Sequence, residues 1–95
     1  MSEHAVLLEW DREPSLEFLF DAEDRLTEII ASPTGLGEVD GNDVGGGTAT
    51  IYIYGPDCDA LWAAIEATVR ELDPAPARVT IRPGGPETPG RALVL

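Results

Sequence analysis

Short apolar runs, separated by clusters of Gly, Pro and Asp, make up most of this chain, and their period changes from run to run. HAVLLEW, residues 4–10, is a continuous apolar run of strand length that stops at Asp11-Arg12-Glu13-Pro14, and it predicts a buried strand. In the next segment the period becomes helical. Leu19, Ala22, Leu26, Ile29 and Ile30 share one side of a wheel with Leu16 at its edge, and Glu17, Asp21, Asp24 and Glu28 gather opposite. Ser15 is placed to cap this helix, and Ser32-Pro33 with Gly35 to end it. Residues 16–20 also fit a short strand, which would start the helix near Asp21; the longer helix is the reading taken.

Residues 36–40 predict a short strand that feeds a glycine-rich stretch. TATIYIY, residues 48–54, is the clearest strand, with Ile51 and Ile53 on one face and Thr50, Tyr52 and Tyr54 on the other. Gly55-Pro56-Asp57 stops it and opens a second helix, capped by Asp57 or Gly55 and running to about Leu72, that buries Leu61, Ala64, Ile65, Val69 and Leu72. Asp73-Pro74-Ala75-Pro76 breaks the helix. A strand over residues 78–82, the turn Pro83-Gly84-Gly85-Pro86 and a closing strand over 91–95 complete the pattern. The order β-α-β-β-α-β plus a C-terminal β-strand predicts one α+β domain over residues 1–95. Right-handed crossovers would fold it into a two-layer, ferredoxin-like sandwich, an antiparallel sheet with both helices on one face.

Composition narrows the partners. The chain has 95 residues and a net charge of −12, from 18 acidic against six basic residues, and every base is arginine. That field repels phosphate backbones and anionic lipid, so neither nucleic acid nor a membrane is an expected partner; a basic protein or a cation is favoured. The arginine-only bias, with much Ala, Gly, Pro and Val, fits a GC-rich bacterial source. The opening MSEHAVLLEW has no basic region leading into a long apolar run, and Cys58 is the only cysteine, so the expected home is a reducing cytoplasm.

The stretch Gly41-Asn42-Asp43-Val44-Gly45-Gly46-Gly47-Thr48 nearly matches a phosphate-binding loop. It has Gly47 where the lysine must stand, and it leads into a strand instead of a helix. Calcium fares little better. Glu38, Asp40 and Asn42 alternate as at the start of an EF-hand loop, but Asp43 stands at the required glycine and Ala49 at the required glutamate. Glu38, Asp40 and Asp43 remain as marginal surface cation ligands, and the favoured reading is a hairpin with a bulge and a mobile tip. GEVDGNDVGGGTATIYIYGPDCDALW, residues 37–62, resembles a signature of small acidic bacterial proteins without an established activity. These proteins join a GE-DGN-x-G hairpin to a Y-x-YGPD-x-D-x-L strand-to-helix junction. The resemblance spans about residues 20–95 and implies a shared domain, not a chemistry, and Cys58 replaces the small alanine associated with its position.

No catalytic constellation stands out. His4 would have to meet Cys58 and a third, orienting group to form a nucleophilic device, and one Cys with one His cannot make a zinc site. Asp57 and Asp59 flank Cys58 and oppose a reactive thiolate. The remaining candidate is the sheet face away from the helices, carrying Tyr52 and Tyr54, with Arg82 and other β-strand residues beside them and Trp10 a candidate for the same face. With the acidic helix stripe Glu17, Asp21, Asp24 and Glu28, it predicts a non-enzymatic, cofactor-free interaction domain of immunity or regulator type. Its partner would be a basic protein or a second copy in a homodimer. The alternative is a small-molecule binder or small enzyme with a cleft at a dimeric sheet interface.

Overall fold

The computed structural model describes residues 3–31, 35–85 and 87–95. Strand β1 (His4–Trp10) is followed by helix α1 (Leu16–Ile30), strands β2 (Glu38–Gly45) and β3 (Thr48–Gly55), helix α2 (Cys58–Glu71), and strands β4 (Arg78–Arg82) and β5 (Arg91–Val94). The strands form one antiparallel sheet in the order β2-β3-β1-β4-β5. The α+β class, single antiparallel sheet and two helices agree with the sequence pattern. The order adds a fifth strand beyond β4, so it is not that of a plain four-stranded ferredoxin-like sheet. Ser32, Pro33 and Pro86, expected to end α1 and shape the last turn, lie outside the described residues.

Alternation decides which face is buried. Val6, Leu8 and Trp10 of β1, Ala49, Ile51 and Ile53 of β3, and Val79 and Ile81 of β4 all turn toward the helices and are buried. They meet Leu19, Ala22, Leu26 and Ile30 of α1 and Cys58, Leu61, Trp62, Ile65 and Val69 of α2 in one cluster. Trp62, absent from the expected helix stripe, completes it, whereas Ala64 is only partly covered. α1 takes the longer form and begins at Leu16, because the Ser15 hydroxyl accepts the Phe18 N–H at 3.1 Å. It ends at Ile30, with the N–H of its cap residue Ala31 donating to the Thr27 carbonyl; beyond it Gly35, whose φ of 62° is in the left-handed region, donates its N–H to the Ala31 carbonyl.

The glycine-aspartate stretch is the main departure from expectation. β2 runs through it from Glu38 to Gly45 and pairs with β3 along nearly its whole length, with a register shift between Val39 and Gly41. The bulge was expected; a strand reaching Gly45 in place of a loop was not. Local propensity is poor here, but a strongly strand-forming partner supplies the ladder, and Val39 and Val44 pack against the core from the helix side. The turn is only Gly46-Gly47, with φ of 64° and 87°, the sign that a two-residue type I′ hairpin requires at both positions. The tip makes one tie to the rest of the chain, the Gly47 N–H donating to Glu13 Oε2 at 2.8 Å.

At the other end of the same hairpin, two glycines allow backbone to touch backbone. A Cβ on Gly55 would collide with the Leu36 carbonyl and lie 3.2 Å from the Gly37 Cα, and one on Gly37 would collide with the Tyr54 carbonyl. Replacing Gly55 by Ala is therefore expected to lower stability by about 2 kcal/mol or more, since neither neighbour is a side chain that can move aside. A urea midpoint that drops no further than for a surface Gly→Ala control would contradict this packing.

Candidate functional site

Nothing among the described residues covers the far side of the sheet. The molecule measures 33 × 30 × 20 Å, a thickness of two layers. Register fixes what this open face displays. One row reads Glu38, Tyr54, Ala5 and Arg82; the next Gly41, Tyr52, Leu7, Thr80 and Ala92; the third Asp43, Thr50, Glu9, Arg78 and Val94. Tyr52, Tyr54, Leu7 and Arg82 are all half-buried, while Val94 is 85% exposed. Ala5 turns to this face yet is fully buried between its cross-strand neighbours Tyr54 and Arg82.

Trp10 is not part of this surface. It is 1% exposed on the helix side, where its indole N–H donates to the Pro74 carbonyl at 2.9 Å and its ring meets Phe18 edge-on with centroids 6.0 Å apart. The physical reason is parity. Glu9 shares its side of β1 with Leu7 and Ala5, and a carboxylate belongs on the wet face, which puts Trp10 with Leu8 and Val6 inside.

The polar groups of the open face are partly matched within the chain. Glu9 Oε2 accepts from Thr80 Oγ1 at 2.8 Å and lies 3.5 Å from the Arg78 Nε, while Arg78 also donates to Asp11 at 3.0 Å. Arg82 donates only to the Gly84 carbonyl, at 3.1 Å, and has no acid partner among the described residues. The expected acidic stripe on α1 is present, with Glu17, Asp21, Asp24 and Glu28 all exposed. Leu16 and Phe20, one turn apart and each 55% exposed, run along one border of it.

Glu38 and Asp43 stand on the open face and Asp40 sits in the bulge, all exposed. No group of three or more His, Cys, Asp and Glu that could hold a metal forms among the described residues. Two open depressions flank the sheet. One, of about 360 Å³, lies by Trp10, Arg12, Pro74 and Leu95; the other, of about 330 Å³, lies by Tyr54, Gly37, Glu38 and Pro56. Neither gathers convergent polar groups as a substrate cleft does.

His4 and Cys58 do meet, though not as nucleophile and base. The Cys58 backbone N–H donates to His4 Nδ1 at 3.0 Å, so the imidazole satisfies an otherwise orphaned donor in the first turn of α2. Asp57 takes the Asp59 and Ala60 N–H groups at 3.0 and 3.2 Å, making it the cap in preference to Gly55. The thiol itself is buried; desolvation pushes its pKa up, with Asp59 and Asp57 adding in the same direction and Arg91 opposing. Arg91 reaches Asp59 at 2.6 Å, which ties β5 to the start of α2.

No family model, no curated protein and no solved structure matches this chain. No described helix is long and apolar enough to cross a membrane.

Two outcomes follow from the α2 start. A thiol whose pKa is raised by folding favours the protonated form, so its contribution is intact below the unfolded thiol's pKa, about 8.5, and is lost as pH rises through the folded value. Unfolding midpoints should therefore decline more steeply above about pH 8.5 for the parent chain than for Cys58→Ala; parallel profiles would refute the burial argument. His4→Ala should cost about 1 kcal/mol, and His4→Asn, which offers an acceptor oxygen at the same reach, should recover most of it in the same urea assay.

Proposed function

We propose that this protein is a non-enzymatic interaction domain, an acidic accessory of immunity or regulator type that engages a basic protein in a bacterial cytoplasm. The observation that carries the reading is the outer surface of α1. Four exposed carboxylates sit beside an exposed Leu16–Phe20 pair, so charge that steers a basic partner adjoins apolar area that can hold it. Leu16 and Phe20 are one turn apart, so their exposed apolar area is contiguous and adjoins the charged stripe. The four strands β2-β3-β1-β4 with α1 and α2 are read as a ferredoxin-like unit, to which β5 is appended. The likeness of residues 37–62 to the small acidic bacterial proteins fits the same class.

The competing reading, a ligand cleft, has less behind it, because the two depressions are open and bring few polar groups together. The test uses the whole chain as bait in extract of the source organism, with any captured protein identified, purified and titrated directly. The expected partner is basic, binds more weakly as salt rises, and loses at least about tenfold in affinity to Glu17→Gln/Asp21→Asn/Asp24→Asn/Glu28→Gln and again to Leu16→Ser/Phe20→Ser. Affinity untouched by both sets of substitutions would overturn the α1 reading.

A further inference from the structure

The negative charge of this molecule is unevenly placed. Glu17, Asp21, Glu23, Asp24 and Glu28 lie on α1, and Asp57, Asp59, Glu66 and Glu71 lie on or beside α2. The open sheet face carries only Glu9, Glu38 and Asp43 against Arg78 and Arg82, and Glu9 is already matched by Arg78. A chain of net charge −12 thus keeps one surface close to neutral, and that surface holds both tyrosines. The face is also polarised. Its acids outside β1 and its tyrosines lie on β2 and β3, and its arginines on β4.

From this we infer that the open face binds a second copy of the chain, sheet against sheet, about a two-fold axis parallel to β1. Of the two axes that keep the strands of the two sheets aligned, along β1 and across it, this one makes the face the more complementary to itself. It lays β1 over β1, so that Leu7 meets Leu7 and Glu9 meets Glu9, each of these carboxylates already held by Arg78 and Thr80 of its own chain, and lays β3 of one copy over β4 of the other. Arg82 then lands between Tyr54 and Glu38 of the second copy, where the ring face and the carboxylate both attract a guanidinium that has no acid partner in its own chain among the described residues. Arg78 lands between Thr50 and Asp43, and Val94 is carried over the β2 edge. The other in-plane axis, across the strands, sets Arg82 against Arg78 and Glu38 against Asp43, which is repulsive twice over.

The area is adequate. Five strands about 4.8 Å apart, four to eight residues long and rising about 3.4 Å per residue, give a face of roughly 500 Å² in projection. Its accessible surface is larger, and of the order of the ~800 Å² per partner that a standard interface buries. The contact is isologous, so each Arg82–Glu38 pair occurs twice.

Sedimentation or light scattering of the full chain should give a mass near twice 10.1 kDa. Arg82→Glu alone, or Glu38→Arg alone, places like charges together at both ends of the interface and should raise the dissociation constant at least about tenfold, with circular dichroism unchanged. Mixing the two variants in equal amounts should restore the dimer. The glutamate introduced at position 82 of one variant then meets the arginine introduced at position 38 of the other, and the native pair re-forms at the opposite end. Glu38 and Arg82 lie on strands separated by β3 and β1 within one chain, so a fold defect in either variant cannot be cured by mixing. Tyr52→Ala/Tyr54→Ala should give a folded monomer. A parent chain that stays monomeric up to roughly millimolar concentration, or variants that dimerise as the parent does, would overturn the inference. So would a mixture that fails to recover. Neutralising the α1 stripe should leave the mass unchanged, so the fate of this inference is separable from that of the α1 surface.

Discussion

The structure hangs on β1 being paired on both sides. His4–Trp10 takes β3 along one edge and β4 along the other, so its backbone groups are spent on two ladders and its side chains alone choose between core and surface. Once Val6, Leu8 and Trp10 are committed to the helices, the parity of β3 and β4 follows, because a register shift of one residue would turn Ile51, Ile53, Val79 and Ile81 into water. The helices have then only one apolar surface to cover, and the reverse face is left bare by the same choice.

How much of this could be read from the chain depended on whether a segment carried its own signal. β1 and β4 were legible to the residue and β3 to within one residue, because apolar runs of strand length end at Asp, Pro or Gly. α1 was legible from its wheel and its Ser15 cap. β2 was not, because Glu38–Gly45 has almost no strand-forming residues of its own and is held by the ladder that β3 offers. Glycines that suggested a loop serve instead as a bulge, a two-residue turn and a place where two backbones touch.

The candidate surface was half legible. Tyr52, Tyr54 and Arg82 do share a face, and alternation alone placed the tyrosines there. Trp10 was misplaced because β1 is apolar on both sides, although Glu9 held the clue. The His4 ring against the first turn of α2 had no sequence signal, since it joins residues 54 positions apart and depends on where β1 begins relative to Gly55. Leu16 looked like the edge of the buried helix side, and Phe20 was given no side; the packed structure leaves both in solvent.

The ties made by the first strand and the loop after it reach far along the chain: Trp10 to Pro74 over 64 residues, Glu9 to Thr80 over 71, Glu13 to Gly47 over 34. During synthesis the central strand leaves the ribosome before either of its neighbours exists. Until β3 and β4 follow, its unpaired backbone and its apolar residues on both faces have nothing to satisfy them within the domain. Helix α1 can form early from local contacts, but the sheet closes only when most of the chain is out. The fold is therefore one of high contact order, assembled from its last strands back onto its first, and the nascent β1 is the segment most in need of protection in the interval.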